Sequence, residues 1–316
     1  MTEMDTPGSL SPPDARVPPP APDDRQQGKK PKEVNRSLWA DGWRDLRSKP
    51  LFWLSVITVL VVGSMAVAPA LWTSQEPLEN CLLERARERP SAAHPFGFTF
   101  QGCDMYSSVV YGASKSLAVA LLATVGITAF GMLVGTIAGY YGGWTDTILS
   151  RFTDIFFGLP FLLGAIVLLA IIQERTVWTI AGVIAVLNWT SVARIMRGSV
   201  LSTKNKDFVE AARALGATNG KIIRRHVLPN SIAPIIVLAT IYLGVYVGVE
   251  ATLTYLGVGF RRPDTTWGLL IAEGQPYALQ GWPHLLIIPC AILVVTVLAF
   301  ILLGDLLRDA LDPRGR

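Results

Sequence analysis

Gly216-Ala-Thr-Asn-Gly220-Lys221-Ile222 is the nearest approach to a catalytic motif in this chain, and it falls short of one. A phosphate-cradling loop needs one residue more between its glycines, a strand before it, and a Ser or Thr after the lysine to reach Mg²⁺. Here a helical pattern precedes the first glycine and Ile222 occupies the hydroxyl position. His94, His226 and His284 are scattered, and no Cys/His spacing suggests a metal site. No Gly-x-Ser-x-Gly elbow occurs. The chain is expected to hydrolyse nothing by itself and to bind no cofactor or metal.

Two other groups carry chemistry. Glu250 stands inside a long apolar run, where an ionisable side chain is costly unless it is paired or faces water. It either lines a pathway through the protein or serves as a structural acceptor for neighbouring helix ends. Cys81 and Cys103 both fall in a polar segment between apolar runs. They are either two independent thiols or a bridge, which would add about 3 kcal/mol by restricting the unfolded chain. Cys290 lies in an apolar run and reads as a small packing residue.

The most distinctive stretch is Asp207-Phe-Val-Glu-Ala-Ala-Arg-Ala-Leu-Gly216, followed by Arg225-His-Val-Leu-Pro229. Phe208, Ala211, Ala212 and Leu215 recur with helical spacing and form one apolar stripe. Gly216 follows where a helix end needs a residue tolerant of positive φ. Thr218 or Asn219 is placed to cap a second helix carrying Ile222, Ile223, His226 and Val227, which Pro229 closes or kinks. Lys204, Lys206, Arg213, Lys221, Arg224 and Arg225 surround the stripe. Such a hairpin is expected to bury little within its own chain and to present its apolar face to a partner protein.

Glu210-Ala211-Ala212, three residues, Gly216, then Leu228-Pro229 resembles the "EAA" signature of permease subunits in bacterial ABC importers. His226 replaces the usual Ile two residues before the Leu, and His-Val-Leu-Pro-Asn resembles the dipeptide/oligopeptide/nickel branch. A second stretch, His94-Pro-Phe-Gly-Phe-Thr-Phe-Gln-Gly-Cys-Asp104, resembles that branch's His-x-(Leu/Phe)-Gly-Thr-Asp-x-x-Gly-Arg-Asp. It departs at Phe98-Thr99, which lacks the family's carboxylate, and at Cys103, which stands for the Arg. A covalent tie from Cys103 to Cys81 is the candidate to substitute for that Arg. The likeness extends from about Trp39 to Arg314. It implies a type I permease fold whose first loop helix docks into a groove of an ATPase subunit.

These motifs must be held by membrane helices. The chain has 316 residues, 51% apolar and 16% charged, against about 25% charged for a soluble domain. Uncharged runs over Leu51–Trp72 and Leu117–Tyr141, with looser ones over Ile155–Ile172, Val177–Ala193, Ile232–Phe260 and Leu285–Gly304, predict an all-α polytopic membrane protein with six transmembrane helices. The first run begins too late and is too long for a cleavable signal-peptide core. Residues 1–36 are Pro-rich without apolar periodicity and read as a disordered cytoplasmic tail. Residues 37–50, with Trp39, Trp43 and Leu46 on one face, read as an interfacial elbow helix. The permease domain then covers 51–316, with an external loop over 73–115 and a coupling loop over 199–230. Tyr140, Tyr141, Trp144, Trp267 and Trp282 are placed as interface anchors. Asp146, Arg151 and Asp154 are spaced for local ion pairs in a short inner loop.

Arg194 to Arg225 contains eight Lys or Arg against two acids, and seven more basic residues stand between Lys29 and Lys49, before the first span. The positive-inside rule therefore puts both termini and the basic loop in the cytoplasm. The net charge of +4 reflects this topology. A nucleic-acid partner has no folded basic domain to rest on. Gly131, Gly135 and Gly139, and likewise Gly244 and Gly248, are spaced for close helix approach.

The resemblance implies the membrane half of an ATP-driven importer in the bacterial cytoplasmic membrane. Its partners would be a second permease subunit, two ATPase subunits or domains that hold the ATP and Mg²⁺, an extracytoplasmic substrate-binding protein, and the bilayer. Dipeptides and short peptides are the commonest cargo of that branch, and nickel complexes and haem are carried by relatives. An ion-coupled secondary transporter would need several intramembrane acids or paired broken helices. The spans offer essentially Glu250 alone. A membrane anchor or sensor leaves the close-packing faces without a purpose.

Overall fold

The structure is a computed structural model that describes residues 38–79 and 81–311, with side chains described in the first helix from Trp43 onward. The tail assigned to residues 1–36 lies outside the described residues, as does the side chain of Trp39. Twelve helices follow in order: α1 (Leu38–Ser48), α2 (Pro50–Val67), α3 (Met105–Tyr141), α4 (Gly143–Phe157), α5 (Phe161–Ile171), α6 (Val177–Lys204), α7 (Asp207–Ala214), α8 (Asn219–Ile222), α9 (Leu228–Ser231), α10 (Ala233–Tyr255), α11 (Trp267–Ala278) and α12 (His284–Leu311). Among the described residues, α2, α3, α6, α10 and α12 are each long and apolar enough to cross a membrane. A further apolar stretch, α4 with α5, is bent, as a broken span or a re-entrant segment would be. α4 and α5 meet at 80°, because Gly158 ends α4 and Pro160 has no N–H with which to continue it. The expected continuous span over Ile155–Ile172 is thereby corrected. Alone, the eleven residues of α5 reach only about 17 Å of the ~30 Å hydrocarbon core.

Boundaries shift for physical reasons. The segment assigned to an external loop over 73–115 is already helical from Met105, since Asp104 accepts from the Ser107 N–H at 2.8 Å and caps α3. Polar Ser107, Ser108, Lys115 and Ser116 mask this first part of the helix in a reading by hydropathy. The loop expected over 199–230 also starts later, because α6 runs on to Lys204. The elbow helix ends at Ser48, with Lys49 as the hinge before Pro50. Leu46 and Phe52 pack there against Ala310 of α12, with Trp43 edge-on to Phe52.

α3 lies along α6, and the glycines of α3 set the distance. A Cβ on Gly131 would stand 2.6 Å from the Val192 Cβ, and one on Gly135 2.4 Å from the Ala193 carbonyl oxygen. Gly244 plays the same part against Val297 and Phe300 of α12, whereas Gly248 faces open space. α4 closes over this pair from the side. Asp146 and Asp154 do not pair locally: Asp146 takes Arg197 of α6, with the Nη2 donor at 2.7 Å, and Asp154 takes Arg194 at 2.9 Å. The predicted short inner loop is instead a helix tied down to α6.

At the opposite end, Cys81 and Cys103 form a disulfide twenty-two residues apart. It closes a cap in which His94 pairs with Asp104 at 3.0 Å. Arg87 reaches over the rings of Tyr277 and Trp282, fixing the cap to α11 and the turn after it. Trp267 is no interface anchor. It is fully buried, and its Nε1 donates to the Val109 carbonyl at 2.9 Å. Tyr140 is likewise buried, whereas Tyr141 and Trp144 are exposed.

Candidate functional site: the hairpin between α6 and α10

Four apolar residues of the hairpin, Val209, Ala212, Ile222 and Val227, are buried within the chain. The expectation that the hairpin buries little of itself is therefore corrected. Its apolar arc is wider than the stripe that the spacing suggests. Val209 and Ala212 turn toward the bundle, while Phe208 and Leu215, at 40% and 88% exposure, stay open with Glu210 and Ala211 beside them. The inner half of the arc anchors the helix, and the outer half is available.

Gly216 stops α7 with φ +78°, and the Gly216 N–H donates to the Arg213 carbonyl. No atom lies within 4 Å of where its Cβ would be. The glycine is required by backbone conformation and not by space. The second half of the hairpin is not a plain helix. After α8, Ile223–Val227 widens into a π-type turn before α9. Pro229 explains the widening: its ring would strike the Arg225 carbonyl and it offers no N–H to it, so the preceding turn opens. Pro229 thus neither ends nor merely kinks the helix. Thr218 stands at the α8 N-cap position without a side-chain bond. Asn219 is used elsewhere, with its Oδ1 accepting from the Tyr140 hydroxyl at 3.0 Å. Neither role was visible in the spacing.

The His226 ring sits 6.5 Å from the Phe208 ring, so the replacement for the usual Ile packs against the open face. Leu228 is half-buried and Pro229 exposed. Thr218, Gly220, Lys221, Arg224 and Arg225 line a basic cleft of about 650 Å³ on the same hairpin. A partner meeting this surface would find an aromatic and an aliphatic side chain framed by cations. No group of three or more His, Cys, Asp or Glu able to hold a metal occurs among the described residues.

Glu250 lies at the cap end of α10, far along the chain from the hairpin. It is completely buried and accepts from the Ser116 and Thr254 hydroxyls, each at 2.8 Å. Those hydroxyls in turn accept from the backbone N–H groups of Trp267 and Phe260. The carboxylate therefore joins α3 and α10 to the segment entering α11, and it faces no open space within this chain. Replacing it with leucine strands both hydroxyls. Glu250→Leu is expected to lower stability by about 2–4 kcal/mol, from roughly 1–3 kcal/mol per buried unsatisfied group. Glu250→Gln, which can still bond both, should stay within about 1 kcal/mol. Melting of the purified chain in detergent reads the difference, and equal midpoints for the two variants would remove the joint.

Membrane-crossing helices around a buried glycine seam, with one anchored hairpin protruding between two of them, define a polytopic α-helical membrane protein. The family described as "Binding-protein-dependent transport system inner membrane component" matches residues 131–316. The chain is 36% identical over 278 residues to the dipeptide transport system permease protein DppC of Alkalihalophilus pseudofirmus, covering 88% of this chain and 90% of that one. It is 34% identical over 280 residues to the oligopeptide transport system permease protein OppC of Bacillus subtilis, covering 89% and 91%. The glutathione transport system permease protein GsiD of Escherichia coli O6:K15:H31 is 35% identical over 286 residues, covering 90% and 93%. Among solved structures, the MetNI methionine ABC transporter aligns with TM-score 0.51 at 22% identity, over 65% of this chain and 97% of that one, which speaks for the fold. The chain belongs to the family of inner-membrane permease components of binding-protein-dependent transport systems.

Proposed function

We propose that this chain is the permease subunit of an ATP-driven importer of dipeptides or short peptides, working with a second, similar permease, two ATPase subunits or domains and an extracytoplasmic binding protein. Relatives named for dipeptide, oligopeptide and glutathione transport support the cargo class. One observation carries the mechanism: Phe208 and Leu215 remain open on a helix whose other face is fixed inside the bundle. A helix held on one side and sticky on the other can be moved by what binds it. The ATPase pair closes on ATP, α7 follows, and the membrane helices exchange which side is open. Such a shift requires that the partner bind α7 differently in the two states. The basic residues of the hairpin support a cytoplasmic side for it and for both chain termini. ATP and Mg²⁺ belong to the partner subunits, and this chain catalyses nothing.

The test is reconstitution of the full assembly in proteoliposomes, with uptake of a labelled di- and tripeptide pool measured with and without ATP. ATP-dependent uptake, and co-purification of the ATPase that Glu210→Lys disrupts, are the expected results. An ATPase that stays bound to the Glu210→Lys variant and drives undiminished uptake would sink the role given to α7. Uptake of none of the peptides, with coupling otherwise intact, would sink the cargo.

A further inference from the structure

The hairpin is bolted to the membrane helices by two small polar contacts, one at its middle and one at its close. At its middle, just past the Gly216 turn, the Tyr140 hydroxyl at the end of α3 donates to Asn219 Oδ1 at 3.0 Å, and Tyr140 is only 8% exposed. Near its close, Ser231 is fully buried. The Ser231 hydroxyl donates to Thr203 Oγ1 at 3.0 Å, and its carbonyl accepts from the Ser199 hydroxyl at 2.9 Å, both on α6. α3 and α6 are themselves locked at this end. Lys204 Nζ, from α6, donates to the carbonyls of Gly139 and Tyr140 at 2.7 and 3.3 Å, closing the end of α3. Gly131, Gly135 and Gly139 hold the two helices together above that point.

We propose that Tyr140 and Ser231 are positioning residues that clamp the hairpin to the α3–α6 pair, so that displacement of α7 moves this pair as one body. The inference rests on the coupling role proposed above. Apolar packing by Val209, Ala212, Ile222 and Val227 resists separation but not sliding, because dispersion contacts are non-directional. Directed hydrogen bonds in a water-poor site fix the register of the hairpin against the helices. Tyr140 grips the second arm of the hairpin where it begins and Ser231 where it ends, and two separated points constrain rotation as well as translation.

A probe at the far end of α6 reads transmission without any cargo. Trp178 is exposed there, and Trp178→Cys in a Cys290→Ala background accepts a bimane label. In the full assembly in nanodiscs, trapping the ATPases with ATP and vanadate should shift the label's emission. Tyr140→Phe and Ser231→Ala should each reduce that shift about threefold, and the pair about tenfold, with ATPase co-purification and hydrolysis retained. Asn219→Asp keeps an acceptor for the tyrosine and should preserve the shift. A purely structural role would instead lower the amount of assembled complex and leave the shift per complex unchanged. If the paired variant does not assemble, Tyr140→Phe, which removes a single oxygen, decides alone. A full shift in the variants overturns the clamp and leaves the coupling role standing. The absence of any nucleotide-driven shift in the parent overturns both.

Discussion

Leu215→Asp should cut ATP-driven uptake at least thirtyfold while leaving the melting behaviour of the isolated chain unchanged. The two halves of that expectation come from one number: Leu215 is 88% exposed and so contributes almost nothing to the chain's own core. An aspartate there costs the isolated protein little, since surface substitutions away from special features stay within about 0.5 kcal/mol. In a docked complex the same position would sit at the centre of the contact beside Phe208. Central apolar anchors are worth about 2–4 kcal/mol, which is a loss of roughly 30- to 700-fold in affinity. Leu279→Asp, at a fully exposed site after α11, supplies the control on the opposite end of the bundle. ATPase co-purification should fail for Leu215→Asp and survive for Leu279→Asp. Equal retention in both variants would mean that the open face of α7 meets no ATPase.

The broad architecture and the protruding hairpin could both be read from residue order, because hydropathy and helical period act over local windows. The spans at α2, α6, α10 and α12 follow from uninterrupted apolar runs, and the end of α7 follows from Gly216. What escaped detection depends on contacts between segments distant in sequence. Val209 carries the same apolar signal as Phe208, and only the position of the bundle decides that one turns in and the other out. Asn219 looked like a cap because Asn favours such sites locally. Its partner Tyr140 lies seventy-nine residues away, on a helix that local pattern cannot bring near. The aspartates of α4 show the same thing: their spacing from Arg151 suggests local ion pairs, yet Arg194 and Arg197 of α6 take both. The break between α4 and α5 was legible in Gly158 and Pro160, but the apolar run across it masked the signal.

The glycine seam gives the largest stability effect in the molecule. Gly135→Val should leave no recoverable folded protein, and Gly135→Ala should cost about 3 kcal/mol, the upper end for overpacking a filled site. The reason is the identity of the obstructing atoms. A Cβ at 135 would stand 2.4 Å from the Ala193 carbonyl oxygen and 3.0 Å from the Arg197 nitrogen, both backbone of α6. No rotamer change relieves such a contact, so the two helices must separate. Separation would break the Lys204 contacts at the end of α3 and draw Arg197 away from Asp146. Bilayer lipid offers little hydrophobic penalty for parted helices, so close packing is the main force that holds them. Gly198→Ala, on α6 where nothing lies within 4 Å, should have the opposite sign. It gains up to about 1 kcal/mol of helix propensity. Melting curves in detergent, followed by size-exclusion fluorescence, rank the three. A Gly135→Val protein that melts with the parent would show that α3 and α6 are not in backbone contact at that level, and the rigid pair on which the hairpin's leverage depends would be lost with it.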